Sequence, residues 1–324
     1  MTPVVDAPPL DETERGQLDV VRRFGTVGAL LLGAGALGAG AAPVYNPLSS
    51  VPVIGLFARI PTAALACALV GMGAIVISWL LLGRFALPGA ARMISRAQLD
   101  RTLVMWAAPL LLIPPLFSRD VYSYLAQSAI VSAGEDPYRV GPAQALGVAD
   151  PLTRGVSNMW RETPAPYGPL FLTLGHWLNS ITGNHVVTGV LMQRMLALIG
   201  IALFVWALPR LARRFGVHPV TALWLGAANP LVLFHLVAGV HNEALAIGLM
   251  LAGLEIGMRR LPGAPRDGRV APRQPGEWAF VLLGVVIITL GAAVKIPALV
   301  AAGFLGVMVA RRWGGRIMDL LRVA

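Results

Sequence analysis

The chain has 324 residues, 56% of them hydrophobic and only 13% charged, a balance that excludes a water-soluble globular domain and points to a protein built for the bilayer. Its net charge of +10 is not a nucleic-acid footprint. The arginines gather in short blocks between apolar runs, where positive loops set membrane topology. The single cysteine, Cys67, excludes an intrachain disulfide, so stability rests on helix packing.

Residues 1–21 are polar, carry Pro8, Pro9 and the acidic cluster Asp11, Glu12 and Glu14, and are expected to form a flexible cytoplasmic tail. Arg22 and Arg23 then introduce an Ala/Gly/Leu run over 24–44. The long acidic head favours an uncleaved span there over a signal peptide. Residues 22–324 are expected to form a single transmembrane domain.

Further spans are expected at 61–83, 102–117, 185–208, 220–238, 243–257, 278–294 and 297–310, giving an all-α polytopic helix bundle of about eight spans. Several fall short of the usual ~20 residues. Pro109, Pro114 and Pro115 are expected to kink the third span near its outer end. In this arrangement Arg59, Arg119, Arg139, Arg154, Arg161 and Lys295 lie outside and Arg194 lies within a span. The remaining basic residues lie inside, which puts both termini in the cytoplasm. Trp79, Trp106, Trp206, Trp224, Trp278 and Trp313 fall near inner ends, as an aromatic belt does.

Residues 118–184 interrupt this pattern with Tyr, Pro, Gly and charge, and form an expected extracytoplasmic loop containing short amphipathic helices, one of them over 118–132. An irregular stretch of this size tends to be functional, so chemistry is expected here. Asp120 is open to two readings. It is favoured in the first turn of a helix by the helix dipole whatever its role, and at the membrane surface a carboxylate is also able to take a proton from an attacking hydroxyl. Tyr122 and Tyr124 add ring faces suited to sugars. Asp136-Pro137-Tyr138 and Thr163-Pro164-Ala165-Pro166-Tyr167-Gly168-Pro169-Leu170 are rigid turns that hold their shape without regular hydrogen bonding.

Three more positions are costly in lipid. Arg194 lies about 12 Å into the fourth span at 1.5 Å per residue, and an ionisable residue at that depth is a functional candidate. His241, Asn242 and Glu243 form a turn that is able to orient a sugar hydroxyl. Two ligands so close in sequence do not make a metal site by themselves, so no metal ligands are assigned and a divalent cation is left open. Lys295, the only lysine, falls at an outer boundary. It either snorkels to the interface or pairs with a lipid phosphate.

The Arg119-Asp120-Val121-Tyr122-Ser123-Tyr124 stretch, Asp136-Pro137-Tyr138, TPAPYGPLF, the GVHNE turn and VKIPAL, taken in order, resemble the actinobacterial polyprenol-phosphate-mannose-dependent α-1,6-mannosyltransferases (MptB-like), a family of GT-C class membrane glycosyltransferases. The resemblance covers residues 116–299. It implies a GT-C type bundle in the plasma membrane, a polyprenyl-phosphate mannose donor, a mannan or lipoglycan acceptor, and inverting transfer on the extracytoplasmic face. Asp120 occupies the position of that family's base. Lys295, Arg194 and Arg119 are the candidate donor-phosphate residues. Tyr122, Tyr124, Tyr138, Tyr167, His241, Asn242 and Glu243 are the candidate sugar-binding residues. Members of the family are generally longer and carry more spans, so the resemblance implies a chain short of a C-terminal part. The alternatives are a polytopic transporter or lipid-linked sugar flippase, and a non-catalytic fragment of a GT-C enzyme.

Overall fold

The structure, a computed structural model, describes residues 8–262 and 274–313. Among these residues every regular element is helical, apart from a single bridge between Pro9 and Met93. The chain is an all-α membrane helix bundle.

α1 (Glu12–Ala39) begins earlier than the Arg22 expected from hydropathy. Asp11 and Glu14 form a reciprocal capping box in which each side chain accepts the other residue's backbone N–H, and this starts the helix inside the acidic head. The tail expected over 1–21 is therefore helical from Glu12, and residues 1–7 lie outside the described residues. Arg22 is buried in the helix, where its guanidinium pairs with Asp19 and donates to Thr102 Oγ1 at 3.1 Å.

A short α2 (Ile54–Arg59) leads into α3 (Pro61–Gly83), which starts on a proline whose missing N–H has no intrahelical partner to lose. α1 and α3 pack along much of their length. A Cβ on Gly71 would stand 2.4 Å from the backbone nitrogen of Leu32, so only glycine allows these two helices to approach so closely.

α4 (Arg96–Ala107) opens on a Ser95–Gln98 capping box and runs into a 3₁₀ turn at Ala108–Leu110. The segment expected as one span over 102–117 is thus broken, because Pro109, Pro114 and Pro115 cannot donate to a helical ladder. The expected 118–132 helix is α5 (Asp120–Ser132). Two short helices, α6 (Pro142–Leu146) and α7 (Pro151–Gly155), and a 3₁₀ turn at Asn158–Trp160 follow. The rest of the supposed loop contains a further helix, α8 (Pro169–Thr182), packed on α5.

α9 (Val186–Arg214) continues through Pro209, where an end was expected. α10 (Pro219–Leu225) stops at Gly226. After Pro230 a π-helical turn, Val232–Ala238, leads to α11 (Glu243–Met258) across a 109° bend. α12 (Glu277–Val294) and α13 (Val300–Trp313) are joined by a 3₁₀ turn at Ile296–Leu299.

Among the described residues four helices, α1, α3, α9 and α12, are long and apolar enough to cross a membrane, or up to five spans if the bent pair counts as one. The expected spans at 102–117, 220–238 and 297–310 take shorter or broken forms. α11 packs against both α9 and α12. At the far end of α12, Glu277 and Arg312 form a buried ion pair at 3.0 Å. Glu277 and Lys295 thus mark opposite ends of an 18-residue helix, about 27 Å apart along its axis.

Candidate active site

α11 starts where α12 ends, so Glu243, the first residue of α11, faces Lys295, the residue after α12. Lys295 Nζ donates to Glu243 Oε1 at 2.5 Å. Lys295 itself is extended, with φ −153° and ψ 122°; Pro297 has no N–H to give the Ala293 carbonyl four residues back, so the α-helix is not continued and helical geometry resumes only as a 3₁₀ turn. The His241 ring lies across the same carboxylate. Its Nδ1 is 3.7 Å from Glu243 Oε2 and 3.5 Å from Asp120 Oδ2.

Asp120 is the first residue of α5 and its backbone N–H donates to Ser118 Oγ at 3.2 Å. Its side chain is 40% exposed, whereas that of His241 is 6% exposed; the carboxylate therefore stands at the mouth of the cluster, with the imidazole behind it. Two residues that are not glycine hold positive φ just before these groups, Phe117 at 57° and Val240 at 59°. A β-branched residue in that region is strained, and such strain gathers where the chain must aim particular side chains. Leu116 N–H donates to the Ala238 carbonyl at 3.1 Å and joins the two approaches.

One turn along α5 from Asp120, the Tyr124 hydroxyl accepts from the Asn242 N–H at 3.4 Å. Its ring meets Tyr167 and Phe171 edge-on, each at 4.9 Å between centroids. The two rigid turns join here. Ala165 N–H donates to the Pro137 carbonyl at 2.7 Å, and the Tyr138 hydroxyl donates to the Tyr167 carbonyl at 2.9 Å. Gly168 N–H donates to the Val294 carbonyl at 3.0 Å, next to Lys295. A Cβ on Gly168 would lie 2.1 Å from the Ala293 carbonyl oxygen, so no other residue fits this contact.

Five sequence motifs far apart in the chain thus meet. Asp120, Tyr124, Tyr167, His241, Asn242, Glu243 and Lys295 form the cluster, and Tyr138 supports it from outside, 48% exposed. Arg119 and Tyr122 do not join it. Arg119 Nε donates to the Gly155 carbonyl at 2.6 Å and its guanidinium lies 5.0 Å over the Tyr122 ring. Tyr122 is buried, with its hydroxyl donating to the Ala41 carbonyl. The ring faces expected of Tyr122 and Tyr124 for a sugar are packed inside the protein.

Arg194 is also elsewhere. Only 2% exposed, it donates to the carbonyls of Leu111 at 2.5 Å, Ile113 at 2.8 Å and Ala238 at 3.4 Å. Those carbonyls belong to the two broken segments, whose freed backbone acceptors need donors inside an apolar bundle.

Burial, and then the charges of Asp120 and Glu243, push the Tyr167 phenol upward. Burial likewise raises Tyr124, helped by Tyr167, Glu243 and Asp120 and opposed by the Asn242 N–H. Both hydroxyls stay protonated at neutral pH. Tyr122 is raised to about 12 by burial, against the pull of Arg119 and Arg194.

Sequence reasoning did not find His235, whose ring stacks on that of His241 with centroids 3.7 Å apart and planes at 22°. A regular helix puts residues six apart on different faces; here the π turn and the bend bring them together. Phe171 was likewise hidden in a helix read as loop.

Chemically the arrangement offers an accessible carboxylate, a cation held at a fixed place by Glu243, and protonated phenols around them. The residues before α5 contribute a separate feature. An apolar groove of about 230 Å³ is lined by Pro43, Leu48, Leu112, Val190, Tyr122 and Arg194, among others.

No solved structure matches this chain. It is 49% identical over 96% of its length to a probable alpha-(1->6)-mannopyranosyltransferase of Mycolicibacterium smegmatis, covering 57% of that protein. An alpha-(1->6)-mannopyranosyltransferase of Mycobacterium tuberculosis is 47% identical over 98% of the chain and 59% of its own length. Alpha-(1->6)-mannopyranosyltransferase B of Corynebacterium glutamicum is 36% identical over 96% of the chain and 52% of its own. The chain spans about half the length of the curated relatives it matches. Residues 22–311 match the profile of the MptA_B family, described as the N-terminal domain of alpha-(1->6)-mannopyranosyltransferases, and the chain belongs to that family.

Proposed function

We propose that this protein transfers mannose from polyprenyl-phosphate mannose to an α-1,6-mannan or lipoglycan acceptor at the outer face of the plasma membrane, with inversion. The relatives' names support mannosyl transfer, and the apolar helices suit a lipid-linked donor. The observation that carries the reading is the position of Asp120, accessible at the mouth of a cluster that also holds a fixed cation.

In this reading the acceptor hydroxyl oxygen attacks the anomeric carbon as the carbon–oxygen bond to phosphate breaks. The hydroxyl proton passes to the Asp120 carboxylate, and polyprenyl phosphate leaves with the bonding electron pair. A β-linked donor then yields an α linkage. Lys295 stabilises the departing phosphate, as a preorganised cation at a partly desolvated site does. The protonated Tyr167 hydroxyl is placed to bind a sugar hydroxyl, whereas the Asn242 side chain is buried behind it. The donor's prenyl chain lies in the apolar groove beside Tyr122, on the opposite face of α5 from Tyr124. Both termini are cytoplasmic, with the arginine blocks of the α3–α4 and α11–α12 connections on that side.

The bend between Val232–Ala238 and α11, like the break after α4, favours a transporter, since broken helices line transport sites. Membranes containing this chain, given radiolabelled polyprenyl-phosphate mannose and a short α-1,6-mannoside, separate the two readings. Labelled, elongated mannoside is the expected product. A correctly inserted chain that moves the lipid-linked sugar across the bilayer without lengthening the acceptor overturns the transferase reading.

A further inference from the structure

We propose that His235, His241 and Glu243 form a binding site for a divalent transition-metal ion of the Zn²⁺ class, beside Asp120. One ligand atom from each of the three residues lies within 4.8 Å of the other two. His241 Nδ1 and Glu243 Oε2 are 3.7 Å apart. Ligand atoms sharing one zinc ion at bond lengths of about 2.0–2.2 Å lie roughly 3–3.5 Å apart, so the group closes on an ion with a shift of a few tenths of an ångström at that pair. His235 must rotate more, because stacked imidazoles point their lone pairs side by side. It is the exposed member of the group.

A second observation points to a ligand. Glu243 Oε2 is buried and has no hydrogen-bond partner, although Oε1 of the same carboxylate holds Lys295. An unpartnered anionic oxygen in a buried position is costly, and here it faces an imidazole nitrogen. His241 Nδ1 does not relieve it, since 3.7 Å exceeds hydrogen-bond length. An ion between the two removes the cost. Two imidazoles and one carboxylate suit zinc and its neighbours rather than magnesium or calcium, which take oxygen ligands. Three protein ligands leave a fourth position open. That position neighbours Asp120, where an anionic oxygen such as a phosphate oxygen is able to bind. Identifying that anion with the donor's phosphate rests on the transferase reading; the metal site itself does not.

The test is Zn²⁺ binding by the purified full chain in detergent, measured by metal content after equilibration and by calorimetry, with Mg²⁺ as the contrasting ion. The expected result is about one Zn²⁺ per chain, with affinity reduced at least about tenfold in His235→Ala and in Glu243→Gln. His176→Ala, elsewhere on the surface, leaves it unchanged. Lys295→Met, which removes the competing ammonium from Glu243, tightens binding. Co²⁺ substitution in the unaltered chain reads the site without any variant, and gives the intense visible bands of a four-coordinate nitrogen–oxygen site. No stoichiometric Zn²⁺, an affinity unmoved by His235→Ala, or the weak spectrum of hydrated Co²⁺ overturns the proposal. Zn²⁺ binding without mannosyl transfer leaves the site standing and removes the transferase reading; transfer without Zn²⁺ binding does the reverse.

Discussion

Lys295 and Glu243, 52 positions apart, form an ion pair at 2.5 Å that ties the end of α12 to the start of α11. Each side chain is about one-third exposed, 35% and 29%, so the pair lies between a surface bridge and a buried one. Breaking it by Lys295→Met is expected to cost about 1–3 kcal/mol of stability, above the surface range and at or below the fully buried one. Transfer falls much further, because the cation beside the proposed leaving group is gone. Thermal melting and transfer rates for Lys295→Met, Glu243→Gln and the double variant form a cycle that separates the two effects. Equal losses in stability and activity would count against a chemical role for the lysine.

Gly168 joins the Tyr167 turn to Val294. A methyl group there meets the Ala293 carbonyl, which has no flexible end to move aside. Gly168→Ala is expected to lower stability by about 1–3 kcal/mol, as overpacking does, and to shift Lys295 away from Asp120. Transfer by Gly168→Ala at the wild-type rate would show that this contact does not set the geometry of the cluster.

Arg194 is expected to act on the fold rather than on the phosphate. Arg194→Met leaves the carbonyls of Leu111 and Ile113 without their donor, at about 1–3 kcal/mol for each buried acceptor left unpaired, while the Ala238 carbonyl keeps the Leu116 N–H. The melting temperature of the detergent-solubilised chain falls, and Arg194→Lys restores it only in part, since an ammonium is not a planar fork. A variant with unchanged melting and weaker donor binding would return Arg194 to the phosphate.

Tyr122 provides a pH test. Burial raises its phenol from 10.0 to about 12. Below pH 10 the folded and unfolded chains are both protonated there, and no stability depends on it. As pH rises above 10 the unfolded chain ionises first, so the fold loses stability until about pH 12, where the folded chain ionises as well. Phenolate absorbance followed against pH is expected to show a late step that Tyr122→Phe removes. Absence of that step would mean the ring is open to water.

The apolar runs made the long helices legible, and α3 was read over Pro61–Gly83 to its ends because Pro61 and the following apolar run mark it clearly. Hydropathy missed the start of α1, which is set by the hydrogen bonds between Asp11 and Glu14 rather than by apolar content. Within residues 118–184, where short helices are expected, it places the one over 118–132 but not α8, whose sequence follows a proline-rich turn. For the site, Asp120, Glu243 and Lys295 were each singled out by chemistry, yet nothing in their spacing gave their proximity. For Glu243 and Lys295 that comes from α11 and α12 running antiparallel, and for Asp120 from the Leu116–Ala238 hydrogen bond that joins the approaches to α5 and α11. Arg194 was singled out because charge is costly in lipid, and the cost is met by backbone carbonyls that only the broken segments expose. His235 could not be seen, because its approach to His241 depends on a π turn and a bend.

Asp120→Asn, assayed in parallel for melting temperature and for transfer from radiolabelled polyprenyl-phosphate mannose to a short α-1,6-mannoside, tests whether the cluster at Asp120 is a reaction centre. The change preserves shape and removes only the charge and the proton-accepting capacity. Loss of transfer by at least about a hundredfold, the lower range for general-base catalysis, with melting unchanged is the expected result. Transfer at the wild-type rate would contradict the account and leave Asp120 as a helix-terminal residue.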